Sequence, residues 1–350
     1  MGARFVRILV CGAQVPFVRG GAELLIDGLI DALRAAGHSA DRVMLPYSWQ
    51  PHDRLAPSAL AWRLLDLSAV DGVPVDLVIA TKFPSYAVAH PRKLVWLVHQ
   101  HRQIYDWYGT PLSDFCNTPE DVATRDLVRR IDRTALGEAR ARFAISRNVA
   151  ARLERFTGLT ARPLYPPSRY AAQLRVGPYG DYLLSDARHD RAKRLDVMLR
   201  AIAAMDRPLP TRVISDGPER AALEALAAQL HLGQVVQFLG YVSDAELVEL
   251  YAGARGVYYA PYDEDYGFTT VQALAAARPV ITSHDAGGVL ELVQDGVNGL
   301  VSAPEPAALA RSLDRLHDAA LVARLGAAGP ACVADIRWSR VVTTLLEAAR

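Results

Sequence analysis

Between Tyr258 and Gly288 the sequence runs YYAPYDEDYGFTTVQALAAARPVITSHDAGG, an order of residue types that suits an anion site. A strand ends at Ala260, an acidic loop follows, and Gly267 leads into a helix that begins at about Phe268. The amides of Phe268, Thr269 and Thr270 would be the unpaired donors of that helix N-terminus. Glu264 lies in the loop and Gln272 one turn inside the helix, so both side chains can face one mouth. Gly287-Gly288 follows the next strand and opens a second helix. Two neighbouring crossovers thus present bare amides at the carboxyl ends of adjacent strands, where open α/β sheets bind ligands. The expected ligand is a phosphate.

Cations stand ready nearby in the sequence. The stretch Arg188 to Asp196, RHDRAKRLD, lies between a strand and a helix, so Arg188 and Lys193 can overhang the same strand ends. A diphosphate leaving group gathers negative charge as its bond to carbon breaks. Fixed cations there stabilise the transition state more than the ground state. Of 39 basic residues only Lys82, Lys93 and Lys193 are lysines, and Lys193 is the sole one in the second half.

In the first half, Gly20-Gly21-Ala22-Glu23 opens the first helix after a long loop, GAQVPFVRGG. That loop is too long for the dinucleotide turn, which argues against a nicotinamide enzyme. A strand over Leu94–Val98 ends at His99-Gln100-His101-Arg102, with Tyr105 and Asp106 beyond. A histidine at a strand's carboxyl end, bordering a cleft, can hydrogen-bond a reacting sugar. Asp263-Glu264-Asp265 has the form of a metal-holding DxD triplet, but its place before an anion-binding helix reads as an acidic substrate loop. The nine histidines show no HxxxH or HExxH spacing, so no zinc site is expected.

These residues need a scaffold that brings strand ends together. The apolar period alternates between two and 3.6 along the whole chain, the mark of alternating strands and helices. Strands are read at Phe5–Cys11, Val75–Ala80 and Leu94–Val98, and helices at Ala22–Ala36, Asp121–Ala141 and from Ser146 to Phe156. Prolines and glycines then crowd Pro163 to Gly180, the expected linker. Beyond it the alternation restarts and runs to Leu325. An amphipathic segment, Trp338–Ala349, is left without a strand to cover.

The expected fold class is α/β, two doubly wound Rossmann-like domains facing each other across a cleft. The boundaries are 1–165 and 166–335, with 336–350 as a terminal helix that can return to the first domain. At 350 residues, 51% hydrophobic and 22% charged, the chain can bury such cores. A net charge of +1 gives no basic excess for nucleic acid. Three scattered cysteines fit a reducing compartment, and no apolar run is read as approaching a membrane span. A cytoplasmic protein is expected, with peripheral membrane contact through the arginine-rich helices between Arg125 and Arg155 as a further option.

With these residues in view, the sequence resembles the retaining glycosyltransferases of family 4, which have the GT-B fold. The resemblance covers nearly the whole chain. It is carried by GGAE at Gly20–Glu23, KFPSY at Lys82–Tyr86, HQHRQIYD at His99–Asp106 and YPP at Tyr165–Pro167. It continues through Arg188 with KRLD at Lys193–Asp196, DGPE at Asp216–Glu219 and FLGYVSD at Phe238–Asp244. The strongest mark is EDYGFTTVQALAAARPVI, from Glu264 to Ile281.

The resemblance implies that Arg188 and Lys193 grip the donor diphosphate, helped by amides near Gly267–Thr270 and Gly21. Glu264 would meet the donor sugar, His99 would sit near its anomeric carbon, and Gly240–Tyr241 would flank the base. The acceptor, a glycan, lipid-linked or small molecule, would lie near Gly20–Glu23 and Arg102–Asp106. The implied reaction is metal-independent transfer from a UDP- or GDP-sugar with retention of configuration and no bound cofactor. In the family pattern a second Glu follows the first after seven residues; here Gln272 stands there. It can still accept from ribose hydroxyls but brings no charge and two donors. Two other readings remain beside this one: a nucleotide-sugar epimerase of the same fold, and a nucleotide-sugar binder without turnover.

Overall fold

The computed structural model describes residues 6–17 and 20–350. Phe5, given above as the start of the first strand, and Val18 and Arg19 of the following loop lie outside them. The chain divides into two compact units. One comprises the chain up to Arg169 together with Ile336–Arg350, and the other comprises Tyr170–Asp335.

The first unit is built on six parallel strands. β1 (Arg7–Gln14) leads into α1 (Gly21–Ala35), and β2 (Ser39–Pro46) and α2 (Leu55–Arg63) follow. A short antiparallel ribbon, β3 (Ala69–Val70) and β4 (Val73–Pro74), stands apart from the main sheet. Then come β5 (Leu77–Lys82), β6 (Lys93–His99), α3 (Pro119–Gly137), β7 (Ala141–Ala144), α4 (Arg147–Thr157) and β8 (Arg162–Pro163). The sheet order is β2-β1-β5-β6-β7-β8, so the direction of winding reverses between β1 and β5. Every residue of β5 is buried, as a strand covered on both faces requires. α1 buries Leu25, Ile26, Leu29, Ile30 and Leu33, a 3.6-period stripe whose members each contribute about 1.5–3 kcal/mol on burial.

The second unit repeats the plan. β9 (Leu183–Asp186), α5 (Leu195–Ala203), β10 (Thr211–Ile214), α6 (Arg220–Gln229), β11 (Val236–Gly240) and α7 (Asp244–Gly253) alternate in sequence. They are followed by β12 (Gly256–Tyr258), α8 (Phe268–Ala275), β13 (Val280–Ser283), β14 (Gly299–Ser302), α9 (Pro306–Asp314), α10 (Ala319–Ala327) and α11 (Gly329–Val333). The all-parallel order is β11-β10-β9-β12-β13-β14, the doubly wound arrangement that reverses between its first and fourth strands. That reversal lies between β9 and β12.

Three points differ from the sequence reading. The helix expected over Asp121–Ala141 ends at Gly137, and Ala141–Ala144 is instead a strand, short and bounded by arginines that mask its apolar signal. β2, α2 and β14 were not anticipated, because their burial is partial and their periods are short. The stretch Ala319–Ala349 reaches a mean hydropathy of 1.4 over an 18-residue window, against the expectation of no long apolar run. It is broken into α10, α11 and α12 (Trp338–Ala349), with Pro330 at the start of α11. The first two helices belong to one unit and α12 to the other.

α12 answers the question of what it covers. Trp338 meets Trp96 of β6 edge to face at 6.2 Å between ring centroids, and it lies over Gly28 of α1. A Cβ at Gly28 would come within 2.4 Å of the indole. Glycine in a helix interior costs about 1 kcal/mol against alanine; here it opens the space in which Trp338 seats the terminal helix.

Candidate functional site

In the second unit the loops after β9, β12 and β13 are laced together. After β9, Asp190 caps a single turn of 3-10 helix, Arg191–Lys193, its carboxylate accepting from the Lys193 amide at 3.2 Å. Arg194 follows in the left-handed region with φ 51°. Its guanidinium donates to the Ala260 and Pro261 carbonyls, to Ser283 and to both oxygens of Asp285. Arg194 was given no role of its own in the sequence analysis beyond the KRLD motif; it is the rivet between three crossovers.

The acidic loop is held by its backbone. Tyr262 N donates to Ala192 O at 2.8 Å, Asp263 N to Asp285 O at 2.9 Å and Glu264 N to Ala286 O at 3.2 Å. Gly288 N returns to Glu264 O at 2.8 Å. A Cβ at Gly288 would lie 2.5 Å from Asp265 O, so the close approach that fixes Glu264 demands glycine there. Glu264 then receives the Lys193 ammonium and, at 2.9 Å, the Tyr259 hydroxyl.

The electrostatics of this corner follow from the pairing. Burial alone would lower the Lys193 ammonium, but Glu264, Tyr259 and Asp190 outweigh it and raise its pKa above the ordinary lysine value. Burial, and then the Glu264 charge, push the Tyr259 hydroxyl well above the usual phenol range. Lys193 is thus a permanent cation and Tyr259 a permanent donor. Tyr259 was missed from sequence, although it sits in the motif beside Tyr258.

At the start of α8, Gly267 has φ 84°, and a Cβ there would meet the Tyr259 ring at 2.8 Å. The Thr270 amide, expected to be bare, is taken by Gly267 O at 3.0 Å, because the first turn tightens. The amides of Phe268 and Thr269 remain unpartnered among the described residues. Thr269 Oγ1 donates to Asp186 O at 2.6 Å and pins the helix end to β9. Thr270 Oγ1 is fully buried without a hydrogen-bond partner among the described residues. Gln272 is 6% exposed, one turn inside the helix.

Toward the β11 edge of the same sheet, Gly240 closes β11 with φ 72° and accepts from Ser215 N at 2.8 Å. Tyr241 beside it is 78% exposed. His189 N donates to Asp216 O at 3.1 Å and its carbonyl accepts from Glu219 N at 3.0 Å, so the loops after β9 and β10 are also joined. Arg188 stands exposed at the head of this loop, and its guanidinium makes no ion pair among the described residues. Lys193, Glu264 and the α8 N-terminus are therefore gathered, with Gly240, Tyr241 and Arg188 on neighbouring loops.

In the first unit, Glu23 caps α1 by accepting from Gly20 N at 2.9 Å and pairs with the Lys82 ammonium at 2.7 Å. Gly21, exposed, is the first residue of the helix. Lys82 ends β5 and is the register partner of His99 at the end of β6. His99 Nδ1 donates to Gln100 O at 2.8 Å. Arg102 pairs with Asp106 and stacks over Trp107 at 4.3 Å from the ring centroid. Arg152 of α4 reaches the same carboxylate at 3.3 Å.

Tyr105, expected at the acceptor side, faces inward. It is 3% exposed and its hydroxyl donates to Asp132 of α3 at 2.8 Å, so it serves the segment from within. Arg102 is also buried, its charge spent largely on Asp106. Lys82 and Asp132 were not named as site residues; the rarity of lysine was a signal for the first, and nothing in the sequence marked the second.

Residues 172–330 match the family model described as Glycosyl transferases group 1. That match spans nearly all of the second unit, Tyr170–Asp335. Among curated proteins, the chain is 35% identical over 198 residues to a D-inositol 3-phosphate glycosyltransferase of Streptomyces griseus, covering 52% of this chain and 42% of that protein. A protein of the same description from Frankia alni is 31% identical over 198 residues, 53% of this chain and 48% of its own. The chain thus spans less than half the length of these relatives. Among solved structures, sucrose-phosphate synthase from Thermosynechococcus elongatus superposes with a TM-score of 0.74 at 21% identity, over 97% of this chain and 98% of that one. HepE of Anabaena in complex with UDP-glucose gives 0.71 at 17% identity, over 97% and 98%. At such identities the likeness carries the fold, and this chain has the two Rossmann-like domains of the GT-B glycosyltransferases.

Proposed function

We propose that the chain is a retaining, metal-independent glycosyltransferase that moves a sugar from a nucleoside-diphosphate sugar to a glycan, lipid-linked or small-molecule acceptor. The observation that carries this reading is the Lys193–Glu264–Tyr259 cluster beside the bare amides of α8. Lys193 is a fixed cation where a departing diphosphate would gather charge, and Phe268 and Thr269 add oriented dipoles at a helix N-terminus. The orphaned Thr270 hydroxyl is one more polar group that an anion would satisfy. The exposed Arg188 guanidinium supplies a second cation on the same loop, so the chain's own cations can perform the charge neutralisation that other enzymes assign to a divalent ion.

Glu264, already fixed by its backbone, is placed to accept from sugar hydroxyls once Lys193 turns to phosphate. Retention of configuration rests on the likeness to the family 4 group: acceptor and leaving diphosphate would occupy one face, the phosphate taking the acceptor's proton. In the first unit, His99 and the Gly20–Glu23 turn are the groups assigned to the reacting sugar and the acceptor. The test is release of nucleoside diphosphate from UDP-glucose and GDP-mannose, with and without chelator, and the anomeric configuration of any product. Chelator-sensitive release or an inverted product would refute the metal-independent or the retaining part respectively. Tight binding without release would favour the silent binder.

A further inference from the structure

Beneath the His99–Asp106 segment lies a cluster of buried polar groups that the proposed chemistry does not use. Asp132 of α3 is fully buried, and its Oδ2 accepts from Tyr105. Its Oδ1 has no partner among the described residues. The Tyr86 hydroxyl and Gln100 Nε2, both buried, also lack one. Both side chains are close enough to Asp132 to influence its titration. An unpaired buried polar atom costs about 1–3 kcal/mol, so one acceptor beside two idle donors defines a network that small shifts would close.

α3 grips the segment twice. One turn before Asp132, Arg129 donates to Ile104 O at 2.9 Å and lies over the Tyr105 ring at 5.3 Å. Gln100, at the other end of the segment, is the residue whose carbonyl receives His99 Nδ1. That bond fixes the His99 tautomer, leaving Nε2 as the basic nitrogen. Asp132 therefore touches the segment at Tyr105 and lies against the residue that orients His99.

We propose that Asp132 is a positioning residue for the strand-end segment, setting the orientation of His99 through Tyr105 and Gln100. The catalytic part of this inference rests on the function proposed above; the structural part does not. Burial raises the Asp132 carboxyl to about 7, while Tyr105, Tyr86 and Gln100 pull it down. The other groups around the cluster are Arg129 on α3, over the Tyr105 ring, and Tyr47, which feels the Asp132 charge and whose hydroxyl meets His101 at 3.1 Å. As a carboxylate, Asp132 can accept from all three donors at once; as an acid it cannot. The ionised form is thus the one that locks the segment, and an asparagine can accept from Tyr105 and donate to Tyr86.

The experiment uses the full chain with 15N-labelled histidine, the His99 ring signals being identified by their loss in His99→Gln. In Asp132→Ala those signals should shift, and in Asp132→Asn they should return toward the parent. Tyr105→Phe, which removes one hydroxyl, should shift them in the same direction by less, and serves if the alanine variant does not fold. UDP and GDP binding by thermal shift should be unchanged in all three. Where the parent releases nucleotide from UDP-glucose or GDP-mannose, kcat should fall at least tenfold in Asp132→Ala with donor KM within twofold. The parent's kcat should rise through about pH 7, and Asp132→Asn should flatten that limb. Unmoved His99 signals in a folded Asp132→Ala or Tyr105→Phe protein would overturn the proposal. A parent that binds neither nucleotide would refute the proposed function while leaving the His99 signals to decide this inference.

Discussion

Lys193 and Glu264 leave adjacent parallel strands, β9 and β12, and close an ion pair over the gap where the winding of the sheet reverses. Lys82 and Glu23 do the same in the first unit, at 2.7 Å, between the crossovers that follow β5 and β1. Lys93, the remaining lysine, pairs with Glu138 at 3.3 Å. In a chain that otherwise uses arginine, every lysine is matched to a glutamate. A compact ammonium suits these corners because it can exchange one oxygen partner for another, whereas a planar guanidinium asks for a fixed fork.

Lys193→Ala should lower nucleotide release by one to two orders of magnitude or more, since one charge-assisted hydrogen bond is worth about 1.5–3 kcal/mol. Lys193→Arg should rescue poorly, because the larger head cannot seat between Glu264 and Tyr259. Steady-state assays with melting curves check this: near-parental turnover in a folded alanine variant would remove Lys193 from the site.

Gln272→Glu should leave turnover within about tenfold of the parent. The side chain is one turn inside α8, and the diphosphate contacts rest on other residues. A neutral acceptor differs from a charged one toward a hydroxyl by about 1 kcal/mol. Complete loss of activity would mean that the amide itself makes an essential donor contact.

Stability should respond to pH through two buried groups of opposite sign. Asp132 is raised from 3.8 to about 7, so its contribution is full below about pH 4 and lost as pH rises through 7. His101 is lowered from 6.5 to about 3, chiefly by burial, so its contribution is present above 6.5 and lost as pH falls through 3. Between about pH 4 and 6.5 the two slopes oppose each other, each about 1.4 kcal/mol per pH unit. Asp132→Asn removes the falling slope, so its stability relative to the parent should climb from pH 4.5 to 6.5. Urea unfolding at both pH values tests this; parallel profiles would contradict it.

Gly28→Val should cost about 1–3 kcal/mol by overpacking and should loosen α12, because the new side chain would enter the space of Trp338. Limited proteolysis should then cleave near residues 334–337 faster than in the parent. An unchanged cleavage rate and unfolding midpoint would show that α12 can reseat.

Much of this architecture was legible in the sequence. The buried runs of β5 and β6 and the Gly267 and Gly288 turns signal themselves, since full burial and forbidden Cβ positions leave few residue choices. β7 was hidden inside an arginine-rich stretch, and β2 by its half-exposed face. Lys193 and Glu264 could be read as neighbours because both follow strands in one doubly wound sheet. Arg194 and Asp132 could not: the first looks solvated until its carbonyl partners fold around it, and the second sits mid-helix with no local mark of its burial. The bond from Tyr105 was hidden for the same reason, since its hydroxyl is satisfied by a residue 27 positions away.

The most direct measurement is a crystal structure of the chain soaked with UDP or GDP. The diphosphate should lie against the Lys193 ammonium and the Phe268 and Thr269 amides, with Arg188 turned toward it. A nucleotide bound elsewhere, with Lys193 still closed on Glu264 and no density at the start of α8, would contradict the account.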